Sequence, residues 1–353
     1  MKKILLITFI ISLSILNCQC VNYENQGTCN NNDNCQWYAS CGICIESIEP
    51  TCPVDNFLDV SQFNGAGGNY PYPQLSISCD NNFINVSSNG IPHYNFVQIT
   101  PNGLQAQNYN WNIPRFPIDN NQNNIIPLLG TVGIAVNGLP FFGPNEAAQP
   151  DPYGDPVYNG IMDYCMGHTA PQGVYHYHAM LVECLSLDVP LDGPDPIIGY
   201  AHDGYAIYGS TGCLDSDCSE LVEYISGWVQ TGDPSTYAWD NHEFVESNNP
   251  LILDECNGHI GPNGDYHYHA TSDFPYILGC YHGTQDQSGS SPDLSLIEGG
   301  DLNQDQLINV LDVIQSVNLV LTSSFDIYGD TNDDCEINVL DIVSIVNIII
   351  ENV

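Results

Sequence analysis

Basic side chains are almost missing from this chain: Lys and Arg number 3 against 42 Asp and Glu in 353 residues, a formal net charge of −39. Two of the three, Lys2 and Lys3, stand at the N-terminus, so removal of that segment would leave Arg115 as the last strong base. A polyanion of this density cannot neutralise phosphates, which excludes nucleic acid and anionic lipid headgroups as partners and leaves small cations as the natural ones. Long apolar runs are scarce as well. The run from Ile4 to Leu16 is too short to span a bilayer, which takes about 20 residues. Helical periodicity is largely lacking between Cys52 and Gly283. No Gly-x-Ser-x-Gly elbow is present, and the acidic residues show no distinguishable acid/base pair, so no catalytic residue is assigned. Apolar side chains are nonetheless plentiful at 43%, with 21 Tyr and 11 Phe, enough for a packed core.

Met1-Lys2-Lys3 followed by Ile4 to Leu16 has the charged start and short apolar stretch of a secretory signal peptide, assigned to residues 1–20. Asn17 before Cys18 makes a poor lipoprotein box, and lipid anchoring there is the lesser expectation. Fifteen Cys in a chain directed outward favour disulfides and a secreted, extracellular or cell-surface location. Cys20, Cys29, Cys35, Cys41, Cys44 and Cys52 crowd between residues 20 and 52, a stretch too small to bury a core, so about three bridges among them are expected and residues 21–54 read as a disulfide-rich segment. Cys165 with Cys184, Cys213 with Cys218 and Cys256 with Cys280 are further plausible pairs, which leaves Cys79 and Cys335 unassigned.

From residue 55 to 284 short hydrophobic runs alternate with Asn-Gly, Asp-Gly and Pro, which predicts a mainly β region. Residues 285–299 read as a linker, and 300–353 switch to helical periodicity. The β region looks internally duplicated. Asp163-Tyr-Cys-Met-Gly-His168 through Tyr175-His176-Tyr177-His178-Ala179 aligns without gaps on Asp254 through Ala270. Upstream of these, Gly133 to Gly143 resembles Gly199 to Gly209, each with an Asx-Gly pair suited to a tight β-hairpin. Two halves related by a pseudo-twofold axis are expected, bringing the His-rich segments either to one shared centre or to two sites.

In an extended strand, residues two apart project to one face, so His176 and His178 point opposite to Tyr175 and Tyr177, and His267 and His269 opposite to Tyr266 and Tyr268. A His-x-His strand chelates a metal naturally, and a third imidazole is expected from a preceding turn at His168 or His259. Three His with an open position suits copper, zinc or iron. The competing reading is structural: each ring braces a turn with both nitrogens satisfied by backbone groups. His93, His202, His242 and His282 belong to no repeated pattern. With Asp203-Gly204-Tyr-Ala-Ile-Tyr208-Gly209, the paired Tyr-His-Tyr-His segments resemble the YHYH-domain family of secreted proteins over roughly residues 80–283. That resemblance implies no particular reaction.

The C-terminal segment holds two twelve-residue oxygen-rich loops. Asp301, Asn303, Asp305, the Leu307 carbonyl, Asn309 and Asp312 form one; Asp330, Asn332, Asp334, Glu336, Asn338 and Asp341 occur in the other. Hard oxygen ligands at this spacing select calcium, with two sites expected. Helices are predicted over Val310 to Leu321 and Val339 to Ile350. Residues 300–353 resemble a dockerin domain, which implies an all-α calcium-dependent docking module and a cohesin-like or other surface partner. Apolar Val310-Leu311 and Val339-Leu340, where dockerins choose partners, make a standard cohesin doubtful. Dockerins often accompany polysaccharide-degrading activities, which makes an extracellular carbohydrate-related enzyme or glycan-binding module the alternative reading, and a purely structural surface protein the third. Gln306 and Cys335 occupy the sixth loop position, which usually takes Gly because it needs a positive φ. Chelation is expected to collapse the helical circular dichroism of this segment; an unchanged spectrum would refute the calcium assignment.

Overall fold

The computed structural model describes residues 52–185, 193–216, 218–285, 299–302, 308–322, 324–326, 328–332 and 334–351, with the backbone of 35–38 and 43–46. The expected signal peptide and most of the Cys-rich segment and linker lie outside those residues. Contacts divide the chain into one unit of residues 51–296 and another of 1–50 with 297–353. In the latter, β1 (Cys35–Tyr38) pairs antiparallel with β2 (Ile43–Glu46), and helices α1 (Val310–Thr322) and α2 (Val339–Glu351) pack together. The two helices match the predicted spans to within a residue. No helix among the described residues is long and apolar enough to cross a membrane.

The larger unit is β-rich. Its strands are β3 (Leu75–Cys79), β4 (Phe83–Ser88), β5 (Tyr109–Pro114), β6 (Asp119–Asn124), β7 (Thr131–Ala135), β8 (Pro140–Phe142), β9 (Gly167–Thr169), β10 (Tyr175–Tyr177), β11 (Ile197–Ala201), β12 (Ala206–Tyr208), β13 (Thr211–Cys213), β14 (Leu221–Glu223), β15 (Trp228–Gln230), β16 (His242–Phe244), β17 (Gly258–Ile260), β18 (Tyr266–His269) and β19 (Tyr281–Gly283). Eight of them form one sheet in the order β17-β18-β12-β11-β7-β8-β10-β9. At its centre, antiparallel β7 and β11 pair Gly133 with Ala201, Ile134 with Tyr200 and Ala135 with Gly199. Since Gly133 corresponds to Gly199 in the hairpin alignment, this register is symmetric about Ile134 and Tyr200. Outward from it, both sides repeat the same sequence of pairings: an antiparallel hairpin (β7–β8, β11–β12), a parallel neighbour (β10, β18) and an antiparallel outermost strand (β9, β17).

The expected Asx-Gly turns join these hairpins, with Gly138 at φ 78° and Gly204 at φ 99°, conformations that side chains with a Cβ rarely adopt. The antiparallel β3-β4-β5 sheet packs on the middle of the large one, where Ile84, Val86, Ile113 and Phe57 bury Ile134 and Tyr200. A second core gathers Phe141, Tyr175, Tyr177, Ile198, Ile207, Tyr268 and Tyr281. Transfer of such side chains from water, about 1.5–3 kcal/mol each, is the main favourable contribution to this packing.

The three pairs expected downstream are present as Cys165–Cys184, Cys213–Cys218 and Cys256–Cys280. The expectation of a closed six-Cys set is corrected: Cys52 is bridged to Cys79, at the end of β3. Cys335, also left without a partner by the sequence, is disulfide-bonded too. Four such bridges point to an oxidising, extracellular setting.

Close backbone approach at the sheet centre leaves no room beside Gly199: a Cβ there would lie 2.5 Å from both the Ile134 carbonyl oxygen and Phe141 Cε2. Gly199→Ala is expected to destabilise the protein by about 1–3 kcal/mol, read as a lower urea midpoint. Gly68→Ala, where nothing lies within 4 Å, serves as the control and should leave the midpoint unchanged.

Candidate metal centres

Each residue of the Tyr-His-Tyr-His motif has a separate task, set by the alternation of the strand. The tyrosines point to the buried face. Tyr175 donates to Asp163 Oδ2 at 2.6 Å and Tyr266 to Asp254 Oδ2 at 2.9 Å. The other oxygen of each carboxylate accepts two backbone N–H groups, Cys165 and Gly167 for Asp163, Cys256 and Gly258 for Asp254. These contacts fix the turn entering β9 and β17, where Met166 (φ 65°) and Asn257 (φ 68°) take matching left-handed conformations. The second tyrosine of each motif reaches the Asx of a hairpin turn: Asn137 Nδ2 donates to the Tyr177 hydroxyl at 2.9 Å, and Tyr268 donates to Asp203 at 2.5 Å. Burial raises the carboxyls of Asp163, Asp254 and Asp203, although all three accept hydrogen bonds that oppose the shift.

The histidines occupy the other face. His168 and His259 are not on turns as expected; they are strand residues in β9 and β17, paired directly across from His176 and His267. In the first cluster, His176 Nε2 lies 3.1 Å from His168 Nε2 and 3.0 Å from His178 Nε2. In the second, His259 Nε2 lies 3.2 Å from His267 Nε2 and 3.1 Å from His269 Nε2. The prospect of one shared centre is corrected: the outermost strands carrying His168 and His259 lie at opposite ends of the sheet, so three imidazoles converge twice and six never do.

What faces the remaining ring nitrogens decides the chemistry. His168 Nδ1 lies 2.8 Å from the Ile161 carbonyl oxygen, His176 Nδ1 3.2 Å from Val174 and His178 Nδ1 2.9 Å from Gly143. A carbonyl can only accept, so each Nδ1 carries the proton and donates it. In the neutral rings all three Nε2 atoms of the first cluster are then lone-pair acceptors aimed at each other. They cannot hydrogen-bond to one another, and a cation among them resolves the repulsion. In the second cluster the Asp265 and Gly209 carbonyls hold His267 and His269 the same way, at 3.2 and 2.5 Å. Such backbone acceptors orient ligating imidazoles and raise their basicity toward a metal. Tetrahedral zinc with ligands near 2.0–2.2 Å separates its donors by about 3.3–3.6 Å, a few tenths of an ångström more than the 3.0–3.2 Å found.

Sequence reasoning missed the fourth member of the first cluster. Glu146 Oε2 lies 3.1 Å from His168 Nε2 and 3.2 Å from His178 Nε2. With both Nε2 atoms unprotonated, the carboxylate finds no donor in them and, like them, faces the centre of the cluster as an acceptor. Its only signal in the sequence was an acid three residues beyond Gly143. The equivalent position beyond Gly209 is Gly212. Among the described residues, these two clusters are the groups of three or more His, Cys, Asp or Glu whose ligand atoms lie within 4.8 Å of one another.

The sequence match agrees with this architecture. Residues 110–283 form a domain of the YHYH protein family. The match begins some way inside the roughly 80–283 expected and does not include residues 300–353. No curated protein and no solved structure matches the chain. Of the histidines outside the YHYH motif pattern, His93 contacts Asn137, His202 contacts Thr131, His242 stacks on Phe274 and His282 stacks on Tyr266 beside Asp119.

The C-terminal acidic residues are arranged differently. Asp301, Asp312, Asp330 and Asp341 are buried. Asp312 accepts from the Leu302 and Asn309 backbones, and Asp341 from those of Thr331 and Asn338, stitching each loop end to its start. Asn309 and Asn338 side chains accept from Leu311 and Leu340 N–H as caps on α1 and α2. Asn332 and Asp334 accept from Asp334 and Glu336 N–H. Asn303, Asp305 and Leu307 lie outside the described residues.

Burial lowers every shifted imidazole of the YHYH domain: His176 and His178 drop, His259 falls to about 4 and His269 to about 3. The unfolded chain, with ordinary values near 6.5, binds protons that the metal-free folded domain refuses. Stability is therefore complete above about pH 6.5 and is lost as pH falls toward 4 and 3. Thermal melts of chelator-stripped protein from pH 8 to 4 should show the midpoint falling below pH 6.5; a flat profile would contradict the neutral, buried state of these rings.

Proposed function

We propose that the β-rich unit is an extracellular transition-metal-binding domain built from two duplicated halves, each holding one divalent ion of the copper, zinc or iron type. His168, His176, His178 and Glu146 hold the first and His259, His267 and His269 the second. The reading rests on one observation: backbone carbonyls take the Nδ1 protons of five of the six imidazoles, all but His259, so their Nε2 lone pairs converge within each cluster. Turn-bracing alone, the competing role, accounts for the Nδ1 contacts and leaves the Nε2 contacts unexplained.

Residues 300–353 are read as a dockerin-like, calcium-dependent docking module for a cohesin-like or other surface protein. What supports this is the mirrored stitching of Asp312 and Asp341, the paired Asn caps, and Cys335 at φ 68° in the sixth loop position. A side chain bearing a Cβ at that φ costs about 1–2 kcal/mol, a strain the loop shape demands.

Elemental analysis of full-length protein purified without chelator is expected to give two transition-metal ions per chain, falling to one in His178→Ala or His269→Ala and to none in the double variant. Metal-free wild-type protein with unchanged folding would return the imidazoles to a structural role.

A further inference from the structure

The two clusters share their imidazole frame but differ at the fourth position, and the difference has a structural cause. Beyond Gly143 the chain supplies Glu146, whose carboxylate closes the first cluster. Beyond Gly209 it enters β13, and the corresponding residue is Gly212. The hairpin β13–β14, clipped by Cys213–Cys218, delivers Tyr224 into the space that a side chain at 212 would need. A Cβ on Gly212 would lie 2.7 Å from Tyr224 Cε2 and 3.2 Å from His269 Cε1. The Tyr224 ring instead lies against His259 and His269, with centroids 4.3 and 4.5 Å away. Its hydroxyl donates to the Cys213 carbonyl at 2.9 Å, so Tyr224 walls the cluster and is not a ligand to it.

Access differs in the same direction. His168, His176 and His178 are at most 2% exposed, whereas His259 and His267 are only partly buried and stand beside exposed Ile260 and Asp265. His176 lies flat on Phe142, with centroids 4.0 Å apart at 24°. At the matching place His267 meets Tyr208 edge-on at 65° and swings over Gly261, where a Cβ would come within 2.5 Å of its Cε1. No carboxylate among the described residues joins the second cluster.

Charge follows from the donor sets. Three neutral imidazoles and a carboxylate leave a divalent ion with a net charge of one, among buried imidazoles and a Glu146 side chain that is 16% exposed. Three imidazoles alone leave the full charge of two, next to solvent. Closed four-ligand sites are structural, while a three-ligand site keeps an open position for water or an anion, and its bound water is acidified. Resting on the metal assignment above, we propose that the second site is an open Lewis-acid centre whose fourth ligand is an exchangeable water or small monodentate anion, and that the first, closed by Glu146, is a four-ligand, exchange-inert anchor.

Copper(II) heads the affinity order for nitrogen sites and reports its ligands by electron paramagnetic resonance. Full-length protein loaded to two copper ions per chain and titrated with azide should show two signals of equal weight. One should move to completion with a single-site isotherm while the other stays fixed. Wild-type protein alone decides this point: both signals moving together, or neither, overturns the inference while leaving two bound metals intact. Failure to hold copper that is lost on His269→Ala would instead sink the metal assignment and the inference with it. His267→Gln, at a partly exposed ring of the second cluster, assigns the responding signal. The copper that remains should ignore azide, and a remaining signal that still shifts overturns the assignment of sites.

Discussion

A hydrogen bond from an imidazole Nδ1 to a backbone carbonyl is the contact on which the rest of the arrangement turns. On its own it contributes about a kilocalorie per mole. Its consequence is larger, because it removes the freedom of each ring to choose its tautomer and its tilt. With Ile161, Val174, Gly143 and Gly209 each presenting an acceptor, the opposite nitrogens can only present lone pairs. The carbonyls belong to residues outside the strands, in backbone tied down by its own hydrogen bonds such as Gly143 N–H to Gly130 and Gly209 N–H to Pro196, so the donor set is arranged by the fold itself. Preorganisation of this kind lowers the conformational cost of coordination.

That geometry depends in turn on the tyrosines behind it. One strand cannot direct its imidazoles to a point unless its opposite face is equally well located. Here Tyr175 and Tyr266 lock onto Asp163 and Asp254, and Tyr177 and Tyr268 onto Asn137 and Asp203. Phenol groups buried this deeply need partners, and each found one whose other bonds shape a turn. The motif therefore couples two faces of one strand: hydroxyls set the backbone, and the backbone sets the rings.

Much of this could be read from the sequence because period-two alternation and Asx-Gly turns are local signals. The His-x-His pairs, the hairpins, the three downstream disulfides and both C-terminal helices all follow from patterns within about thirty residues. What stayed hidden was settled by tertiary contacts. Glu146 is one acid among 42 acidic residues, and only the fold brings it beside His168 and His178. Tyr224 reaches the second cluster through an insertion with no counterpart in the first half. Cys52 looked like part of a local knot but is bridged to Cys79, at the end of β3. The separation of the clusters depended on strand order: a symmetric centre at β7 and β11 pushes the His-rich hairpins outward to the two ends.

Strand order has one more implication. β9 and β17 are the outermost strands of the large sheet, each joined to its neighbour over only three residue pairs. A strand in that position offers unpaired amides to any passing chain, a hazard that proteins blunt in several ways. Here each outermost strand donates one imidazole and the strand inside it the other two, His178 standing one residue past the end of β10 and His269 closing β18. An ion held there would tie each outermost strand to its neighbour through three side chains, adding a second link to a short backbone ladder.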